Sequence, residues 1–134
     1  MSLGADLRAV LRVAVPVMLG WEVVSAVLAL ALHIPHERFS PGDFLIYAAT
    51  GFALARRRGV FAGPVGGAAI AAIDATLGWT ISWWIGPGRP PGGFAHPAMV
   101  AVTIPIVIVI GGLLGLLGGV PGDFFRRGPP AHRS

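Results

Sequence analysis

Residues 59–85 limit the fold of this chain more than any other stretch. Their sequence is GVFAGPVGGAAIAAIDATLGWTISWWI, with Asp74 as the single charged side chain. A helix of about 20 residues is long enough to cross the hydrocarbon core of a bilayer. Inside lipid, a helix also satisfies its own backbone hydrogen bonds. The stretch therefore predicts a membrane-spanning α-helix.

Small residues recur at every fourth position of this stretch, so they fall on one stripe of the predicted helix. They are Gly59, Gly63, Gly67, Ala71 and Ala75. A second stripe of the same kind lies nearer the C-terminus and consists of Gly111, Gly115 and Gly119. Such stripes let helix backbones approach closely in membranes. We expect glycine-zipper packing of these helices, either against each other or against another chain.

The composition is that of a membrane protein. The chain has 134 residues, of which 54% are hydrophobic and 12% are charged. Soluble domains carry roughly 25% charged residues, so this chain has too little polar surface to cover a water-soluble globule. Its length fits a single domain. The absence of cysteine excludes disulfides and thiolate metal sites, and the absence of lysine excludes a lysine Schiff base.

We predict an all-α membrane protein, a bundle of four transmembrane helices with short loops, in one domain over residues 1–134. The spans are expected at approximately 13–32, 41–57, 62–86 and 97–119, and residues 121–134 are expected to form a cytoplasmic tail. Pro16 is expected to end a short amphipathic helix or to start the first span. The second segment is the shortest, and its length also fits a re-entrant segment.

The distribution of arginine favours the four-span arrangement. Four spans place eight of the ten basic residues on one side of the membrane and only Arg38 and Arg89 on the other. Three spans would divide them seven to three. Because basic loops face the cytoplasm, we expect both termini there. The predicted location is a multi-pass position in a bacterial inner or plasma membrane.

The partners expected from the sequence are the lipid bilayer and other membrane chains or further copies of this one. The net charge of +4 is not accompanied by a pattern that reads or stacks on bases, so we predict no nucleic-acid partner. The chain has no phosphate-binding loop, because the glycine-rich sequence GPVGG contains no lysine and continues into an apolar helix. We predict no cofactor.

Two carboxyl groups are expected inside the bilayer. Asp74 lies near the middle of the third span, and Glu22 lies at a similar depth in the first. A charged side chain at that depth costs ~3 kcal/mol, and such residues usually mark function. We therefore expect neutral carboxyl groups with a structural role, in which each donates a hydrogen bond that fixes helix packing to a partner such as Tyr47 or Thr50. The alternative is a proton or cation site at the midplane.

Three histidines are expected on the outer side of the membrane. His33, His36 and His96 could bind zinc or copper together with Glu37. Pro35 prevents His33 and His36 from sharing a regular helix face, and the spacing matches no established metal motif. We predict interfacial histidines without a metal.

The sequence contains no nucleophile with a histidine at matching depth, which predicts a protein without catalytic activity. The leading hypothesis is an accessory or assembly subunit that packs against a larger membrane complex, or self-associates, through its glycine-rich helices. The alternative is a small oligomeric transporter or channel coupled to protons or cations, with Asp74 and Glu22 at the midplane. A membrane enzyme that uses the outer histidines is a third hypothesis.

Overall fold

A computed structural model describes residues 2–89 and 97–128, which contain helices and turns and no strand. The predicted all-helical class is confirmed for this part of the chain. The five α-helices within these residues are α1 (Leu3–Leu32), α2 (Ser40–Arg58), α3 (Gly63–Ile73), α4 (Trp79–Ile85) and α5 (Pro97–Arg127). Short 3₁₀ turns at His36–Phe39 and Val60–Ala62 precede α2 and α3. A π-helical segment, Asp74–Gly78, joins α3 to α4.

Three helices in the described residues are long and apolar enough to cross a membrane. They are Leu3–Leu32, the continuous rod Val60–Ile85 and Pro97–Arg127. Helix α2 does not reach the same mean hydropathy, because Asp43 lies in its first turn and three arginines lie in its last. The chain is therefore a helical protein of membrane-protein character.

Helix α1 runs without interruption through Pro16, where the sequence predicted a helix end or start. A proline inside a helix removes one backbone hydrogen bond, and apolar surroundings let the helix continue. The helix begins at Leu3, with the Ser2 hydroxyl accepting a hydrogen bond from the Ala5 amide at 3.3 Å. It ends at Leu32, and the next residue, His33, has a left-handed backbone (φ 55°).

Helix α5 also extends further than predicted. It continues through Pro121 to Arg127, whereas the sequence predicted a span ending near residue 119 and a tail from residue 121. The Asp123 carboxylate accepts hydrogen bonds at 2.8 Å from the side chains of Arg126 and Arg127, three and four residues on. Pairs at this spacing support a helical turn. The rest of the predicted tail lies outside the described residues.

The two predicted glycine stripes face each other across α3 and α5. A Cβ atom added at Gly67 would clash with the Gly111 carbonyl oxygen and lie 2.7 Å from the Gly115 Cα. A Cβ at Gly119 would lie 3.3 Å from the Gly63 Cα. Ala71 fills the last position, against Gly111. The small residues therefore bring the two backbones into direct contact.

The first and last residues of the first stripe, Gly59 and Ala75, lie outside α3 and so do not take part in the contact between α3 and α5. Gly59 lies in the turn between α2 and the Val60–Ala62 segment, with φ 93°, a backbone conformation that favours glycine. It is therefore required by the turn and is not part of the helical contact. Ala75 is buried within the π-helical segment.

A second glycine contact joins α2 to α5. A Cβ at Gly51 would clash with the Gly115 backbone, and one at Gly118 would clash with the Ala48 carbonyl. A Cβ at Gly122 would lie 2.6 Å from the Phe52 carbonyl oxygen. Both α2 and α3 thus pack on α5, and the three backbones meet at Gly115. Helix α1 covers the remaining side through Met18, which is fully buried with Tyr47 and Ile70.

Candidate functional site

The buried polar side chains of the bundle converge from three helical segments. Helix α1 supplies Glu22, α2 supplies Tyr47 and Asp43, and the π-helical segment supplies Asp74. Glu22, Tyr47 and Asp74 are only 2%, 2% and 3% exposed. We call these four residues the carboxyl cluster. The structure thus places together three residues that the sequence singled out, and adds Asp43.

Tyr47 and Asp74 are directly hydrogen-bonded, with the Tyr47 hydroxyl donating to Oδ2 of Asp74. The Tyr47 ring packs in the hydrophobic core with Met18 and Ile70, so its hydroxyl has a fixed position. A carboxyl oxygen that accepts this bond is held in one orientation. Tyr47 therefore positions Asp74.

Glu22 and Asp74 meet over Gly78. A Cβ atom added at Gly78 would lie 3.1 Å from the Glu22 Cγ and 3.3 Å from the Asp74 Cγ, so glycine leaves room for both carboxyl groups. The two groups interact electrostatically. Glu22 Oε2 and Asp74 Oδ1 are buried and find no hydrogen-bond partner on other residues within 2–89 and 97–128, while the two carboxyl groups lie close enough to share a proton. Buried polar atoms without partners are uncommon in folded proteins, which marks this pair as a candidate site.

The π-helical segment determines where Asp74 and Gly78 lie. Its wider turns begin at Asp74 and end at Gly78, so both residues face Glu22. Interruptions of this kind inside α-helices are frequent at functional sites. The Thr76 hydroxyl donates within its own helix to the Ala72 carbonyl at 2.8 Å. No sequence pattern predicted the change of helix type.

Thr50 belongs to helix packing and not to the carboxyl cluster. It is 3% exposed, and its hydroxyl donates to the Ile46 carbonyl of its own helix at 2.7 Å. Its carbonyl oxygen would lie 3.0 Å from a Cβ added at Gly66. The residue therefore lies at the contact between α2 and α3.

His36 lies between the carboxyl cluster and the loop end of the bundle. Its Nε2 is 3.1 Å from the Ser25 hydroxyl, 3.5 Å from the Ser82 hydroxyl and 4.0 Å from Glu22 Oε2. Burial lowers the pKa of His36, while the neighbouring Glu37 carboxylate acts in the opposite direction. The imidazole is therefore neutral near pH 7 and can accept or donate a hydrogen bond.

The sequence predicted His36 only as an interfacial residue and missed its position next to Glu22. Ser25 lies three residues after Glu22 and so shares its helix face, and this was the available signal for a polar strip on α1. Among the described residues, no three His, Cys, Asp or Glu side chains come together as a metal site. His33 occupies the exposed end of α1, and His96 lies outside the described part of the chain.

A cavity of about 500 Å³ opens at the loop end of the bundle and reaches Glu22. We call it the outer cavity. Its lining includes Glu22, His36, Asp43, Trp79, Trp83 and Arg89. Because Glu22 lines it, the outer cavity gives access to the carboxyl cluster from one end of the helices.

Comparison with known proteins adds no relationship to these observations. No protein-family model, no curated protein and no solved structure matches this chain.

Proposed function

We propose that this chain is an integral membrane protein that crosses the bilayer four times and transports protons, or a small cation in exchange for protons, at the Glu22–Asp74 pair. Both termini lie in the cytoplasm, in a bacterial inner or plasma membrane. The activity is transport, without a chemical reaction.

Helix α2 serves as the fourth span in this proposal. Its 19 residues correspond to about 28 Å of helix, close to the thickness of the hydrocarbon core. The arginines at its C-terminal end are exposed and can extend to the interface. Its inward face carries Tyr47 and the glycine contact to α5, so it packs with the three apolar helices along its length.

One observation carries the proposed activity: Glu22 lines the outer cavity, and its Oε2 is buried without a hydrogen-bond partner on another residue of the described part of the chain. The Asp74 carboxyl group lies next to Glu22 but does not line the cavity. Two neighbouring carboxyl groups in a site of low polarity titrate as a pair and hold a proton between them. A cation that enters the cavity can replace that proton. Binding of the cation and release of the proton are thereby coupled.

Proton flux into proteoliposomes tests the proposal, with a pH-sensitive dye trapped inside and an imposed membrane potential. The wild-type chain should carry protons, and Asp74→Asn should lower the rate at least tenfold. Thr80→Val is a matched control, because the Thr80 hydroxyl is exposed and donates only within its own helix, to the Thr76 carbonyl at 2.7 Å. A wild-type rate equal to that of empty liposomes, or an undiminished rate in Asp74→Asn, would contradict the proposal.

An accessory subunit is the second candidate function. The glycine stripes that the sequence offered for docking are occupied inside the chain, since α3 and α2 pack on α5. The exposure of α5 favours this candidate. Only 11% of its most apolar 18-residue stretch is buried inside the chain, which leaves an apolar surface for a partner. A stable partner on that surface predicts stoichiometric co-purification in mild detergent, and a monomer without a partner would contradict it.

A further inference from the structure

We propose that the cation exchanged for protons is a small organic cation, bound in the outer cavity between the Glu22 carboxyl group and the indole rings of Trp79 and Trp83. This inference rests on the proposed transport function and specifies its substrate class.

The size of the outer cavity favours a molecule over a bare ion. The cavity measures about 500 Å³, whereas one water molecule occupies about 30 Å³ of the liquid. An inorganic cation in a site of its own is usually surrounded by several oxygen ligands. Within residues 2–89 and 97–128, no three His, Cys, Asp or Glu side chains are arranged so that they could hold one metal ion. The cavity therefore suits a ligand that fills space as well as carrying charge.

The inner end of the cavity carries two carboxyl groups, which become negatively charged when a ligand displaces their protons. Glu22 is 2% exposed, and its Oε2 lacks a hydrogen-bond partner in the described part of the chain. Asp43 also lines the cavity, and its Oδ1 is buried in the same way. A carboxylate removed from water is stabilised by a paired cation. The unpartnered oxygens therefore predict a positively charged ligand group at this end.

Among the described residues, the basic side chains of the cavity form no hydrogen bond to the inner carboxyl groups, and His36 is within ion-pair distance of Glu22 only at the limit of 4.0 Å. Arg89 donates to the Trp83 backbone carbonyl at 3.3 Å, at the loop end. His36 is 4.0 Å from Glu22, beyond hydrogen-bonding distance, and burial lowers the pKa of its imidazole. The inner end is thus left for a cation supplied by the ligand.

The aromatic side chains that line the cavity also suit a positively charged ligand. Trp79 and Trp83 are one helical turn apart on α4, and their ring centroids are 6.1 Å apart with planes tilted by 36°. Both line the cavity. Indole is the side chain that binds cations best through its ring face, and aromatic walls recognise quaternary ammonium groups. Trp84, the next residue, is 86% exposed and does not line the cavity.

Ligand binding to the purified full chain in detergent tests this inference. The probes are choline and benzyltrimethylammonium, and the control is 3,3-dimethylbutan-1-ol, an uncharged molecule with the shape of choline. Titration calorimetry gives each affinity, and a pH dye in weak buffer reports protons released on binding. We expect at least one cation to bind and release protons, and the uncharged alcohol to bind at least tenfold more weakly.

Variants separate the charge contribution from the aromatic one. Glu22→Gln should weaken cation binding at least tenfold and abolish the proton release. Trp83→Leu should weaken binding at least fivefold, whereas Trp84→Leu, its neighbour outside the cavity, should leave binding unchanged. If Glu22→Gln does not fold, the comparison of Trp83→Leu with Trp84→Leu still tests the inference.

Three results would overturn the inference: equal binding of choline and the alcohol, equal effects of Trp83→Leu and Trp84→Leu, or no binding of either cation. Proton flux in proteoliposomes is measured separately. Flux that persists without organic-cation binding removes this inference and leaves the proposed function. Binding without flux in any condition removes the proposed function instead.

Discussion

The Tyr47 hydroxyl donates a hydrogen bond to Oδ2 of Asp74 at a point where both side chains are almost completely buried. This bond joins α2 to the π-helical segment between α3 and α4. The bond therefore joins α2, which is less apolar than the three long helices, to the apolar rod Val60–Ile85. Hydrogen bonds between membrane helices stabilise the fold by ~0.6 kcal/mol on average and select one geometry.

Replacing Tyr47 by Phe should remove this bond and keep the ring packing against Met18 and Ile70. We expect a loss of about 0.5–1.5 kcal/mol in the free energy of unfolding, measured by denaturant titration in mixed micelles. Asp74→Asn and the double variant complete a double-mutant cycle. If the two single effects add without coupling, the bond does not contribute in the membrane-like environment.

Replacing Gly115 by Ala should destabilise the bundle, because the added methyl group meets the α3 backbone at Gly63 and Gly67. Forcing extra atoms into a packed contact costs roughly 1–3 kcal/mol. Gly112→Ala on the same helix is the matched control, since its nearest neighbour would be 3.7 Å away. There the higher helix propensity of alanine should stabilise by up to ~1 kcal/mol. Equal effects of the two substitutions on thermal unfolding would contradict the close packing at Gly115.

Replacing Gly78 by Ala should impair transport more than stability. The added Cβ would press on the Asp74 carboxyl group and lie 3.1 Å from the Glu22 Cγ, so the pair must move apart. We expect proton flux to fall at least fivefold while the helical circular dichroism spectrum is kept. Gly20→Ala on α1 serves as control, because a Cβ there meets nothing within 4 Å. Unchanged flux in Gly78→Ala would argue against the Glu22–Asp74 pair as the transport site.

The contribution of His36 to the stability of the folded chain should be lost as the pH drops below about 6.5, the ordinary pKa of histidine. Burial lowers the pKa of His36 in the folded state, so the unfolded chain binds the proton more readily. Through this residue acid favours unfolding, and the His36 contribution is present above pH 6.5. His36→Gln should reduce this dependence. Its unfolding midpoint at pH 5 and pH 7.5, compared with wild type, measures the effect, and an identical pH dependence in the two proteins would contradict it.

The helical class and the α3–α5 contact could be predicted from the sequence, because hydropathy and a four-residue spacing of small side chains both act locally. The sequence left open whether the stripes face each other or another chain. Gly118 and Gly122 follow the same spacing as Gly111 and Gly115, so the signal for the α2 contact was present and overlooked.

The site could be predicted only in part. Glu22, Asp74 and Tyr47 stand out as polar residues in apolar segments, and their depth suggested a common position. The approach of His36 to Glu22 depends on the left-handed turn at His33, which the sequence does not indicate. The position of Asp74 over Gly78 depends on π-helical geometry, which hydrophobic periodicity does not reveal.

The proposed transport site requires that α2 cross the membrane, because α2 supplies Tyr47 and Asp43 to the site. The chain lacks cysteine, so single cysteines can be introduced as unique labels. Arg38→Cys precedes α2 and Arg56→Cys lies near its end, and both positions are exposed. Labelling with a membrane-impermeant maleimide in sealed vesicles should place the two positions on opposite sides, with position 56 on the cytoplasmic side. Labelling of both positions from the same side would contradict the four-span arrangement and the transport site built on it.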